Sequence, residues 1–381
     1  MNNAVQEARR LGQSIWYDNI RRGLIDSGEL QRLIDVGVTG LTSNPTIFEK
    51  AIAGSTDYDD ALLALAREGK SAEEIYEALA IEDIQAAADL LLPAYEQSDG
   101  ADGYASLEVS PHLAHDTEAT VAEARRLSAA LDRPNVMIKV PATPEGMPAV
   151  HRLIGEGVSV NVTLTFSLRA YQDVRQAYMA GLEDLDWGGG DTNRVASVAS
   201  FFVSRVDSAV EARLREPTGT GLRDIESLTG KAAIANAKLA YRDFKYDFGG
   251  DRFAVLRSKG ARVQRPLWAS TSTKNPDYSD VLYPESLIGP DTVDTLPEAT
   301  LTAFLEHGRV ASTLEQDVEG AELVIESLQS AGISMEDVTA RLLSDGVKLF
   351  ADSFDGLMAN IEDKRARLLA QDQSRSKGAK A

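Results

Sequence analysis

The chain has 381 residues, 39 Lys and Arg against 59 Asp and Glu, a formal net charge of −20 and no cysteine. That acidic balance argues against a general binder of nucleic acid or anionic membranes, which needs clustered cations, and the missing thiols exclude disulfides, thiolate nucleophiles and Cys-ligated metals. Hydrophobic residues at 43% and charged residues at 26% fit an ordinary globular protein, long enough for two average domains or one large α/β barrel.

In chain order, the opening segment MNNAVQEARRLGQSIWYDNIRR alternates charged and apolar residues and lacks the apolar core of a secretory signal. No apolar run approaches the roughly 18 residues of a membrane span, so a cytoplasmic protein without membrane contact is expected. Short β-rich runs follow at Ser14 to Ile20, Val38 to Asn44, Tyr104 to Ser110 and Val136 to Ala142. Others lie at Val158 to Phe166, Arg194 to Phe202, Gln264 to Thr271 and Asp291 to Leu296. Stretches of helical period separate them. From Ser71 to Gln97 a capping box of Ser71 and Glu74 opens a helix that places Ile75, Leu79, Ile84, Ala88, Leu91 and Tyr95 inward. Ser167 caps another, with Leu168, Tyr171, Val174, Tyr178 and Leu182 spaced by three and four.

Two stretches exceed what eight strand–helix units require. Residues from about 206 to 248 read as an inserted helical pair, interrupted at Pro217 to Leu222. Residues from about 334 to 370 read as one long helix or a kinked pair, with Ser334 and Asp337 at its start, and 372–381 as a disordered tail. Nothing in the chain marks a second module. The reading is one α/β domain over 1–371, a single (β/α)8 barrel with extra helices.

Strands of an all-parallel sheet usually read as continuous apolar runs, because helices cover both faces. Three strands here do not. Along Val158 to Phe166, Val158, Val160, Val162, Leu164 and Phe166 alternate with Ser159, Asn161, Thr163 and Thr165. Leu107 and Val109 alternate with Ser106, Glu108 and Ser110, and Val136, Ile138 and Val140 with Met137 and Lys139. With a period of two, the polar set points into a shared interior and brings Glu108, Lys139 and Asn161 side by side. An antiparallel sheet with one wet face gives the same alternation, but the intervening helices favour parallel crossovers.

A lysine and a glutamate inside a barrel are costly unless paired, which points to chemistry. A desolvated lysine loses its proton more easily and becomes a nucleophile toward carbonyl carbon. Imine formation moves two protons, so a carboxylate such as Glu108 is the natural partner, directly or through a water held by Thr163 or Ser110. Making or breaking a carbon–carbon bond needs a second carboxylate. Asp18 is the candidate, against the alternative of a strand-end carboxylate capping a turn or pairing with Arg21. Residue chemistry alone thus leads to a lysine-dependent aldolase or transferase in a barrel.

The segments GVTGLTSNPTIF (Gly37 to Phe48) and VMIKVPATPEGM (Val136 to Met147) closely resemble the two signatures of the transaldolases. The resemblance extends to SLEVS around Glu108, VNVTLTFS around Asn161, SFFVSR ending at Arg205, WASTSTKNP around Lys274 and LIGPDTVDTLP near Gly289. It implies an (α/β)8 barrel in which Lys139 forms a Schiff base with fructose 6-phosphate or sedoheptulose 7-phosphate. Glu108 would shuttle protons through a water held by Thr163, and Asp18 would take the C4 hydroxyl proton. Asn44, Asn161 and Ser200 match positions that bind sugar hydroxyls, and Arg205 matches an arginine at the phosphate. Where the family commonly has a second arginine, this chain has Ser272, Thr273 and Lys274, so Ser272 and Lys274 are expected at the phosphate, with a point charge in place of the guanidinium fork. The chain's length resembles the long bacterial subgroup.

The resemblance implies sugar-phosphate substrates and no cofactor, since lysine supplies the electron sink. A monomer and a homodimer are both compatible with the sequence. His112, His115 and Asp116 have metal-like spacing but follow Pro111 in a loop, and no metal site is expected. Gly188 to Gly190 lacks the Lys-Ser/Thr of a phosphate-binding P-loop. A fructose 6-phosphate aldolase-type lyase and a non-catalytic sugar-phosphate-binding protein are the competing readings.

Overall fold

The computed structural model describes residues 3–215 and 228–378. Its strands are β1 Gln13–Tyr17, β2 Gly40–Thr42, β3 Tyr104–Glu108, β4 Val136–Pro141, β5 Val160–Thr165, β6 Ser197–Phe202, β7 Arg265–Ala269 and β8 Thr292–Leu296. They close into a barrel in sequence order, every neighbouring pair parallel. This is the predicted (β/α)8 barrel with extra helices, and the antiparallel alternative falls. Each strand lies on a predicted run to within one residue but is shorter, because the β-rich runs extend into the loops at one end or both.

Two faces with different chemistry organise the wall. Leu107, Ile138, Val140, Val160 and Val162 share one register set and pack buried under the helices, each such side chain contributing about 1.5–3 kcal/mol of burial. Phe201 of β6 and Trp268 of β7 belong to it, with rings 6.1 Å apart, and Tyr171 of the helix Leu168–Trp187 meets Phe201 at 5.8 Å. The other set holds Ser106, Glu108, Met137, Lys139 and Asn161. On β5 the alternation stops earlier than predicted. Leu164 takes a φ of 58° and the β5–β6 register shifts between Val162 and Thr165, so Thr165 comes level with outward Phe201.

The β6-to-β7 crossover runs through Ser204–Leu214, Ala232–Gly249 and Asp251–Ser258. Part of the stretch 206–248, predicted as an insertion, is therefore the crossover that two parallel strands require. Its predicted break at Pro217 to Leu222 lies outside the described residues. The last helix, Met335–Gly378, is continuous, and Ser334 caps it by accepting the Asp337 N–H at 3.1 Å. It runs past its predicted end, so 372–378 are helix rather than a disordered tail; Asp372 there pairs with Arg67. The rest of the predicted tail lies outside the described residues. This helix crosses Pro45–Gly54, where buried Lys364 donates to the carbonyls of Ile52 at 2.9 Å and Ser55 at 2.6 Å and pairs with Asp59. No helix among the described residues is long and apolar enough to cross a membrane.

Gly40 of β2 leaves room for the Trp16 indole, whose Nε1 donates to Asp102 at 2.8 Å; a Cβ at position 40 would lie 2.5 Å from the ring. Gly40→Ala should overpack the wall and cost on the order of 1–3 kcal/mol, seen as a lower urea midpoint at constant slope. An unchanged midpoint would show that Trp16 can step aside.

Candidate active site

β3, β4 and β5 place Glu108, Lys139 and Asn161 directly across from one another, as the polar alternation predicted. Lys139 is 5% exposed and Glu108 7%. The Lys139 amine lies 3.3 Å from Glu108 Oε2 and donates to the Ser43 carbonyl at 2.8 Å. Burial pushes the Glu108 carboxyl above its usual range, and the lysine charge only partly offsets this. Glu108 Oε1 and the buried Thr163 hydroxyl take no protein hydrogen bond among the described residues, so they are free to meet a substrate or water. Asn161 is held in place: its amide donates to Ser106 Oγ at 3.3 Å and its oxygen accepts from Ser200 Oγ at 2.7 Å.

Asp18 sits just past β1, where its N–H donates to the Leu296 carbonyl at 2.9 Å and continues the β1–β8 ladder. Its carboxylate accepts from Thr42 Oγ1 at 2.7 Å, and Thr42 and Thr295 hydroxyls are 2.7 Å apart. Arg21 instead pairs with Glu29 at 3.3 Å and more loosely with Asp57 at 4.0 Å. Burial raises the Asp18 pKa; the Thr42 hydrogen bond and the charges of Lys139, Lys274 and Arg205 oppose it. A carboxylate so raised is a stronger base. Asn44 caps the helix Pro45–Gly54 by accepting the Ile47 N–H at 3.0 Å, which commits its oxygen and leaves its amide N–H groups for a ligand.

Arg205 stands in the first turn of Ser204–Leu214, its guanidinium 5.3 Å from the Phe202 ring centre. Burial lowers its pKa, with Asp18 opposing. Lys274 lies beyond β7 and donates to Ser272 Oγ at 2.7 Å. Burial lowers its pKa, and the charge of Arg205 adds to the effect.

Two groups escaped the sequence reading. Lys50, midway along Pro45–Gly54, lines a cavity of about 790 Å³ with Asp18 and Arg21, and its charge also acts on Lys274. Only its position after the asparagine-capped signature hinted at it. Asp294 of β8 is fully buried and level with outward-facing Trp268. Burial pushes its carboxyl up to about 8, Thr271 opposing and Asp18 adding to the rise. An aspartate inside a strand of β-branched residues was its only sequence signal. His112 and His115 turn to different partners, Asp355 at 2.8 Å and Glu145 at 3.1 Å.

A family model described as Transaldolase/Fructose-6-phosphate aldolase matches residues 15–361. A transaldolase of Thiobacillus denitrificans is 49% identical over 360 residues, 94% of this chain and 99% of that protein. A transaldolase of Trichodesmium erythraeum is 46% identical over 376 residues, 97% of this chain and 99% of that one. One of Saccharopolyspora erythraea is 47% identical over 365 residues, 95% and 98% of the two chains.

Asp294 gives a pH test. A carboxyl raised from an ordinary 3.8 to about 8 on folding stabilises the native state while protonated, and that contribution is lost as pH rises through this window. Asp294→Asn removes the ionisation. Its stability relative to the parent chain, followed as the difference in melting temperature, should therefore climb from about pH 4 to about pH 8, at up to roughly 1.4 kcal/mol per pH unit, and level off above that. A pH-independent difference would mean that folding does not raise the Asp294 pKa.

Proposed function

The chain belongs to the transaldolase/fructose-6-phosphate aldolase family and acts as a transaldolase, and we propose that it does so through a Schiff base on Lys139. The observation that carries the assignment is the buried amine 3.3 Å from Glu108 inside the barrel. Catalytic groups in such barrels gather at the C-terminal ends of strands. Lys139 and Glu108 lie near the ends of β4 and β3, and Asp18 just beyond β1.

The donor is a ketose phosphate, fructose 6-phosphate or sedoheptulose 7-phosphate. Its C2 carbonyl receives the Lys139 amine, giving a carbinolamine. Glu108 donates a proton, through a water on Thr163, to the hydroxyl that leaves as water, and the imine forms. Asp18 takes the proton of the C4 hydroxyl. The C3–C4 bond breaks, its electron pair moves into the imine, and glyceraldehyde 3-phosphate or erythrose 4-phosphate departs. The enamine of dihydroxyacetone remains on Lys139. Its C3 then adds to the aldehyde of an acceptor aldose phosphate, Asp18 returns its proton, and hydrolysis frees the new ketose. Asn44, Asn161 and Ser200 serve the sugar hydroxyls, and Arg205, Ser272 and Lys274 the phosphate. A cytoplasmic location belongs to the same reading.

A lyase of the same family that cleaves without an acceptor is the second reading. A carboxylate at Glu108 favours transfer, since the lyase-type relatives would be expected to carry a non-carboxylate there.

Borohydride reduction in the presence of fructose 6-phosphate should leave a reduced dihydroxyacetone adduct on the peptide containing Lys139 and on none in Lys139→Ala. An adduct on another lysine would overturn the assignment. Asp18→Ala should lose at least about two orders of magnitude in transfer, the scale of one acid–base group, while still being trapped on Lys139. Normal turnover would remove Asp18 from the mechanism. Aldehyde release from fructose 6-phosphate at the same rate with and without erythrose 4-phosphate would establish the lyase instead.

A further inference from the structure

The segment carrying Ser272 and Lys274 is fastened at both ends to the helix that carries Arg205. At its near end the Ser204 N–H donates to the Ser270 carbonyl at 3.0 Å, and the two serine hydroxyls are 3.0 Å apart. Ser270 holds a φ of 56°, a left-handed turn that a non-glycine residue rarely adopts. At its far end, two tyrosines reach back to two carboxylates on the same helix. The Tyr283 hydroxyl donates to Asp207 Oδ2 at 2.8 Å, and the Tyr278 hydroxyl donates to Glu211.

Asp207 and Glu211 lie one helical turn apart and are 2% and 7% exposed. The second Asp207 oxygen accepts the Ala233 N–H at 2.8 Å, which anchors the pair to the next helix as well. Lys274, Asn275 and Pro276 line a cavity of about 240 Å³ together with Asp207, Glu211, Tyr278 and Tyr283. None of these carboxylates or phenols has a role in the chemistry derived above.

We propose that Asp207, Glu211, Tyr278 and Tyr283 are positioning residues for the substrate phosphate: their two tyrosine–carboxylate hydrogen bonds hold the Lys274 segment at a fixed span from Arg205, so that both cations close on one phosphate. The need follows from the chemistry of the pair. A lysine offers a compact charge on a flexible stem and no planar fork, so its direction must come from the backbone that carries it. A free segment would lose backbone freedom when the phosphate arrived; one already tied to the Arg205 helix does not. The inference rests on reading Arg205 and Lys274 as the phosphate cations.

The test compares fructose 6-phosphate with unphosphorylated fructose as donor. Tyr278→Phe should raise KM for the phosphate ester roughly fivefold to tenfold, the scale of one hydrogen bond, with kcat within about twofold and kcat/KM for fructose unchanged. Glu211→Ala should do the same, Glu211→Gln should restore most of the loss, and the double variant Tyr278→Phe/Glu211→Ala should be no worse than either single one. Tyr283→Phe supplies a second, independent series where a Glu211 variant fails to fold. Additive losses, or equal losses with fructose, would overturn the proposal. An Arg205→Ala control that treats both donors alike would instead refute the phosphate site itself, and a parent chain without transfer activity would refute the reaction.

Discussion

Inside the barrel an ammonium and a carboxylate stand 3.3 Å apart with almost no contact with solvent. Taking two such groups out of water costs several kcal/mol each, repaid only by close approach and by further hydrogen bonds such as the one from Lys139 to the Ser43 carbonyl. That pair cannot stabilise the fold on its own account. The wall that holds it does so, through the apolar set under the helices and the ring contacts among Tyr171, Phe201 and Trp268. The barrel is thus divided, with stability on its outer face and chemistry on its inner one. The strand alternation is the device that separates them, since one residue of slip would exchange the two faces.

The same cost explains the placement of the remaining charges. A chain of net charge −20 that serves phosphorylated sugars must collect its cations locally. Arg205 leads the helix after β6, Lys274 follows β7, and Lys50 lies midway along the helix after β2. Asp18 stands among them. Their charges pull its proton affinity down while burial pushes it up, and burial wins. The mechanism proposed for Asp18 asks one group to take up a hydroxyl proton and later give it back.

The long final helix contributes from outside. By holding Lys364 against the carbonyls of Ile52 and Ser55, it fixes the helix Pro45–Gly54, and with it both Asn44 and Lys50. Its continuation beyond the predicted end shows the limit of composition as a guide. The polar run QDQSRSKG reads as disordered by itself, yet Asp372 finds Arg67 on a helix some three hundred residues earlier, and the chain stays helical.

What the sequence determined by itself is local and periodic. Alternation of period two identified the inner faces of β3, β4 and β5, and register then made Glu108, Lys139 and Asn161 neighbours with no further information. Signature segments carried the barrel and the reaction class. What only the tertiary structure decided depends on distant parts of the chain meeting. The bulge at Leu164 turns Thr165 outward, against the pattern. Lys50 becomes relevant because its helix borders Asp18, and Asp294 is fully buried because β8 sits between β7 and β1. Asp207 and Glu211 acquire meaning only when Tyr283 and Tyr278 arrive from more than sixty residues away. A residue's face follows from its neighbours in sequence, but its solvation and its charged company follow from closure of the barrel, and those set proton affinity and position.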